Sequence, residues 1–176
     1  MTDRPLFMLR PEIAKAQAMA SLAGALKRGY GLTGKPFASD RLHSTLHHLG
    51  DYVELSSELV TMAKRAAATI AMLSFEVTFD RVVTFSGSPG RRPLVLRGGD
   101  GIVPLQRAIG EAMTKVGLGA FANRTFTPHI TLLWGAGIVE EQAVETFRWT
   151  VREFALVNSR VGQGEYVVLG QWPLRG

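Results

Sequence analysis

Phe126-Thr127-Pro128-His129-Ile130-Thr131-Leu132-Leu133-Trp134 sets one histidine and one threonine two residues apart in a run that is otherwise apolar and β-favouring. In a strand, side chains at i and i+2 leave the same face. His129 and Thr131 therefore point together from one side while Ile130 and Leu132 enter a core. The arrangement recurs in Arg41-Leu42-His43-Ser44-Thr45-Leu46, where His43 and Thr45 share one face and Leu42 and Leu46 the other. With four histidines in 176 residues, chance supplies only about 0.03 matches to His-x-Thr-Leu, so two are a signal. A single strand histidine is an ordinary half-buried residue; two that each carry a threonine at the same spacing point to a shared task.

Outward from the second copy, a helix is predicted from about Ile102 to Val116, with Pro104 tolerated in its first turn, and a glycine-broken loop runs on to Asn123. Gly98-Gly99-Asp100-Gly101 lacks the Gly-x-x-x-x-Gly-Lys-Ser/Thr pattern of a phosphate cradle and reads as a turn with Asp100 near a helix N-terminus. Alternation over Phe75 to Phe79 and Val83 to Phe85 predicts a long strand, which residues 86 to 90 turn into a hairpin partner at Pro93 to Leu96. The first copy lies on a strand from about Leu42 to Leu49. A strand over residues 5 to 10 precedes it, then a helix from Glu12 to Arg28 with Ile13, Ala16, Ala20, Ala23 and Leu26 on its apolar face. Asp51 and Glu54 predict a capped helix reaching Met72 that buries Leu55, Leu59, Met62, Ala63 and Ala66. After the second copy, a helical turn over 140–145 leads to strands over 147–158 and 165–171. Each motif strand follows a helix, so the fold class is α+β: two related lobes with a cleft between them, in one domain spanning residues 1–176.

Composition narrows the chemistry. The absence of cysteine excludes disulfides, thiolate nucleophiles and cysteine-ligated metals. A net charge of +5 and a pI near 10.0 suit an anionic partner, and arginine, whose planar fork matches phosphate, outnumbers lysine. No apolar run reaches membrane-spanning length and no export signal opens the chain. A cytoplasmic monomer without membrane contact is the expectation.

The chain resembles the 2H phosphoesterases, a family named for two His-x-Ser/Thr-x motifs, and within it the RNA 2′,3′-cyclic phosphodiesterases historically called 2′-5′ RNA ligases. The resemblance rests on Leu6-Phe7-Met8-Leu9-Arg10-Pro11, on His43 to Leu46 followed by Leu49-Gly50, on Phe126-x-Pro-His-Ile-Thr-Leu, and on Tyr166-Val167-Val168-Leu169 with Trp172-Pro173-Leu174. It implies a two-lobed, pseudo-symmetric fold with antiparallel sheets around a central cleft and helices outside. It also implies His43 and His129 as the catalytic pair, with Thr45 and Thr131 holding phosphate oxygens. The substrate implied is an RNA end or nucleotide carrying a 2′,3′-cyclic phosphate, and no metal or other cofactor is required. His129 would activate the water and His43 protonate the departing 3′ oxygen, a division of labour open to histidine because its pKa keeps both forms accessible near neutrality.

The chain departs from the family pattern at two places. Where relatives carry an arginine or lysine two to three residues past the second threonine, this chain has Leu133-Trp134. Trp134 reads either as core packing or as a platform for a nucleobase. Where relatives place a base-stacking aromatic beyond the first motif stands His48, which can stack or merely cap the strand. Arg124, ahead of the second motif, matches a position often basic in the family, and Arg41 flanks the first; either can compensate, although for Arg41 an exposed residue without a role is the simpler reading. Two rival readings remain. One is a metal hydrolase built on His43 and His47, four residues apart, with His48 as a third nitrogen. The other is a catalytically weak nucleotide-binding module on the same fold.

Overall fold

The computed structural model describes residues 1–176. One antiparallel sheet has the order β2-β1-β7-β8, from β1 (Thr2–Leu9), β2 (Ser44–His48), β7 (Glu153–Val161) and β8 (Glu165–Pro173). The other has the order β5-β4-β3-β6, from β3 (Phe75–Thr84), β4 (Arg92–Gly98), β5 (His129–Gly135) and β6 (Gln142–Val151). Both motif strands, β2 and β5, are therefore edge strands, and the two edges approach each other where the lobes meet.

The helices are exchanged between lobes. α1 (Ile13–Tyr30) leaves the first sheet after β1 but packs on β5 and β6 of the second. α3 (Val103–Lys115) leaves the second sheet after β4 but packs on β2 of the first, beside α2 (Ser57–Ala68). The exchange fuses the backs of both sheets into one apolar core. Phe7, Leu46 and Phe154 of the first sheet belong to the same buried cluster as Phe79, Leu96 and Ile130 of the second. Burying a side chain of this size stabilises by about 1.5–3 kcal/mol, so each lobe depends on the other's helix. No helix is long and apolar enough to cross a membrane.

The outer edge of β5 is covered by the loop after α1. Phe37 N–H donates to Leu132 O, Thr33 N–H to Ala136 O, and Ala136 N–H to Thr33 Oγ1. Gly34 and Gly135 make this approach possible, since a Cβ on either would run into a backbone carbonyl, that of Trp134 or of Thr33. An edge strand so covered cannot pair with a second chain.

Several expected boundaries differ. The strand expected over 147–158 is two strands in different sheets, because the chain crosses from one lobe to the other at Arg152, between β6 and β7. No helical turn forms over 140–145; Gln142 already pairs with Val82 as β6 begins. α2 starts at Ser57, capped by Ser56 Oγ, which accepts the Leu59 N–H. Asp51 does not cap it; its carboxylate is taken by Arg4 at 2.7 Å. Of the apolar face expected for α1, Ala16 and Ala23 are buried, with Met19 beside them, and Ala20 and Leu26 pack against the core, whereas Ile13 is exposed.

Candidate active site

Each motif strand carries a bulge at the same place. In the first sheet Phe7 faces His47 and Met8 faces Thr45, so Leu46 is an extra residue. In the second, Leu94 faces Leu133 and Val95 faces Thr131, so Leu132 is extra. The leucine of His-x-Thr-Leu is thus the inserted residue in both lobes, buried each time. An inserted residue reverses the alternation beyond it. His48 and Trp134 consequently emerge on the faces of Thr45 and Thr131, while His47 and Leu133 turn into the core. Plain alternation along each strand would have given the opposite assignment.

The two half-buried imidazoles are held in the same way. His43 Nδ1–H donates to the carbonyl of Arg41, and His129 Nδ1–H to the carbonyl of Thr127, both at 2.8 Å and both two residues upstream. A carbonyl only accepts, so each neutral ring carries its proton on Nδ1 and presents Nε2 with a free lone pair. Each ring also meets an aromatic edge-on. Tyr166 stands 5.6 Å from His43 at 83°, and Phe85 stands 5.2 Å from His129 at 70°. Those contacts limit rotation, and Nε2 of each ring has no protein hydrogen-bond partner. Thr45 and Thr131 lie two residues on, half-buried on the same faces.

Burial pushes the His43 imidazole below its ordinary pKa, against the Arg41 carbonyl bond, which favours the charged ring. The positive charges of Arg10, Arg41 and His129 press in the same direction as burial. That His129 is felt at His43 places the two rings in one electrostatic neighbourhood, across the meeting edges of β2 and β5.

The other sequence candidates separate. Trp134 is 42% exposed on the face of His129, with the Arg91 guanidinium 5.7 Å over its ring, so it is not a core residue. His48 ends β2 with Nε2 3.1 Å from Asp51 Oδ1, the carboxylate already paired with Arg4. Arg124 lines a cavity of about 380 Å³ beside α3, together with His47, Gln106, Arg107 and Glu111. His47 is a clamp in that region: Nδ1 accepts the Asn123 N–H at 3.1 Å and Nε2–H donates to Gln106 O at 2.7 Å. With both nitrogens occupied and its ring facing the core, His47 cannot share a metal with His43. Gly110 on α3 admits this ring, since a Cβ there would lie 3.1 Å from His47 Cε1. The sequence left two neighbours of the imidazoles without a role, Tyr166 and Phe85, and only Tyr166 carried a signal, through its place in the closing Tyr-Val-Val-Leu stretch. Arg41, weighed from the sequence as a compensating cation or an exposed residue without a role, is half-buried with its Nε buried.

Comparison with known proteins gives the same frame. The family model described as the 2′-5′ RNA ligase superfamily matches residues 9–163. The chain is 32% identical over 149 residues, 80% of each sequence, to the RNA 2′,3′-cyclic phosphodiesterase of Escherichia coli. Among solved structures it is similar to TT0787 of Thermus thermophilus (TM-score 0.80, 22% identity, 98% of each chain). It is also similar to apo LigT of E. coli (TM-score 0.77, 25% identity, 99% of each chain). With two antiparallel sheets meeting along duplicated His-x-Thr-Leu strands, the chain belongs to the 2′-5′ RNA ligase superfamily.

Proposed function

We propose that this protein opens 2′,3′-cyclic phosphates at RNA ends or on nucleotides, leaving a 2′-phosphomonoester, and that the same groups can run the reverse 2′-5′ ligation. The observation that carries this reading is the matched pair of imidazoles, each anchored through Nδ1 to the carbonyl two residues upstream and each leaving Nε2 free. The E. coli relative bears the name of this activity. A cyclic phosphate held between the two rings has a proton carrier on each side, as in-line displacement at phosphorus requires.

His129 Nε2 takes the proton of the attacking water, and His43 gives one to the departing 3′ oxygen. His43 is depressed by burial in the free protein, so it becomes an acid only once the anionic phosphate sits beside it and raises its pKa again. Thr45 and Thr131 donate to the nonbridging oxygens, whose charge grows in the transition state. His48 and Trp134, turned by the bulges onto the faces of Thr45 and Thr131, are available to the nucleotide. The protein acts as a cytoplasmic monomer formed by both lobes together. A binding module without turnover is the alternative, favoured by Trp134 standing where relatives carry a cation. Against it, Arg91 over Trp134 returns a guanidinium to that side.

The test is incubation with 2′,3′-cyclic AMP and with a cyclic-phosphate-ended oligonucleotide, with and without exhaustive chelation. A 2′-monoester in both arms is expected. Binding without product would establish the module, and loss of turnover on chelation would bring a metal into the reaction.

A further inference from the structure

Arg41 is held in an unusual way. Its guanidinium carbon lies 4.2 Å from the centre of the Tyr166 ring, and Arg10 approaches the same ring at 5.9 Å. On the other side Arg41 packs against the β7–β8 turn, where a Cβ on Gly164 would meet its Nη1 at 3.2 Å. Its Nε is buried and has no hydrogen-bond partner. The Nε atoms of Arg97 and Arg160 are also buried and unpartnered, but those guanidiniums are paired through Nη1 with Glu141 at 3.1 Å and Glu165 at 3.0 Å. Arg41 and Arg10 have no carboxylate partner. A partly desolvated guanidinium with donors unspent is costly unless an anion completes it.

The position tells which anion. The reacting phosphate belongs on the Nε2 side of His43, whereas Tyr166 and Arg41 sit on the Nδ1 side. The Tyr166 hydroxyl is 3.4 Å from Nδ1, and the Arg41 guanidinium lies over the ring of that same tyrosine. The pair of arginines is thus set back from the chemistry, along the first lobe. We propose that Arg41, braced over Tyr166 and joined by Arg10, binds the phosphodiester one nucleotide back from the cyclic phosphate. RNA chain ends are then preferred over cyclic mononucleotides. This rests on the phosphodiesterase reading above and adds the length of the substrate to it.

Two measurements decide it. Steady-state kinetics compare 2′,3′-cyclic AMP with the dinucleotide ApA ending in a 2′,3′-cyclic phosphate, for wild type, Arg41→Ala and Arg41→Lys. Wild type should favour the dinucleotide, and Arg41→Ala should lower kcat/KM on it, through KM, at least about tenfold more than on the mononucleotide, the scale of one charge-assisted contact. The slope of log KM against log salt for the dinucleotide should fall by about 0.7 on losing one phosphate contact. Arg41→Lys, which keeps the charge and loses the planar stack, should fall between. Calorimetric binding of the products, 2′-AMP and ApA with a 2′-phosphate, reports the same ratio without turnover. An equal loss on both ligands, or none on either, overturns the proposal. A wild type that turns over neither substrate refutes the phosphodiesterase reading, and the calorimetric ratio still judges Arg41.

Discussion

His47 should make the fold sensitive to mild acid, and His47→Leu should remove that sensitivity. The ring is 1% exposed, and burial lowers its pKa while the bond to Gln106 O opposes that shift. Charging it puts a proton on Nδ1, the atom that accepts the Asn123 N–H, so the cation loses a bond and gains a repulsion. Arg107 and Arg124 border the same cavity and disfavour the cation, while Glu111 partly offsets them. The unfolded chain, with an ordinary pKa near 6.5, therefore binds a proton before the folded one does. Stability is full above about pH 6.5 and falls as pH drops below it, by up to about 1.4 kcal/mol per pH unit for one proton. Leucine, the residue at the matching position 133, lacks that titration but strands Gln106 O and the Asn123 N–H. Set against the apolar burial gained, the net cost is about 2 kcal/mol at pH 7.5. Urea unfolding followed by tryptophan fluorescence between pH 7.5 and 5 should thus show wild type ahead at pH 7.5 and the gap closing below 6.5. Parallel curves would refute the clamp, because they would mean that the ring titrates alike folded and unfolded.

Alanine at His43 or at His129 should lower kcat on a cyclic phosphate at least about a hundredfold, the scale of losing a general acid or base, with circular dichroism unchanged. Alanine at Thr45 or Thr131 should cost about ten- to a hundredfold in kcat through lost oxyanion stabilisation, largely recovered by serine. With His43 as the acid, the alkaline limb of kcat/KM must lie below pH 6.5, since the lowered pKa of the free protein governs it, and must move up in kcat once phosphate is bound. A limb in kcat/KM above 7 gives the acid role to another group. Ser44 is 2% exposed with its hydroxyl unpartnered, so Ser44→Ala should raise the unfolding free energy by about 1 kcal/mol, measured in urea.

Much of the candidate site was legible because its geometry depends on period 2, which a short motif states directly. His43 with Thr45, and His129 with Thr131, needed only the alternation of a strand to share a face. Residues beyond each threonine were not legible, because a bulge depends on how many residues the partner strand supplies, and the motif does not contain its partner. Trp134 read first as core packing and second as a nucleobase platform, and the core reading falls because Leu132 is the inserted residue facing no partner on β4. The helix exchange was hidden for a similar reason: α1 has an apolar stripe, but nothing in the stripe says which sheet it covers. Arg152 marks the crossing between sheets inside a run that reads as one continuous strand, since both halves are apolar and β-favouring.

The duplication is also informative where it fails. Both lobes keep the Nδ1–H bond to the upstream carbonyl, the threonine and the bulge, which are the features that two proton carriers flanking one phosphorus must share. They differ beside those features. Position 41 is arginine and its counterpart 127 is threonine; position 47 is a hydrogen-bonded histidine and its counterpart 133 is leucine; position 48 is a histidine paired with Asp51, and its counterpart is Trp134 beneath Arg91. The phosphate itself is nearly symmetric, but an RNA end is not, since one side bears the chain and the other the incoming water. Under the proposed reaction, asymmetry confined to the residues around the matched pair of imidazoles is where strand direction and substrate length would be read. Exchanging the residues at 41 and 127 should alter which substrates are taken far more than the chemistry of the bond that opens.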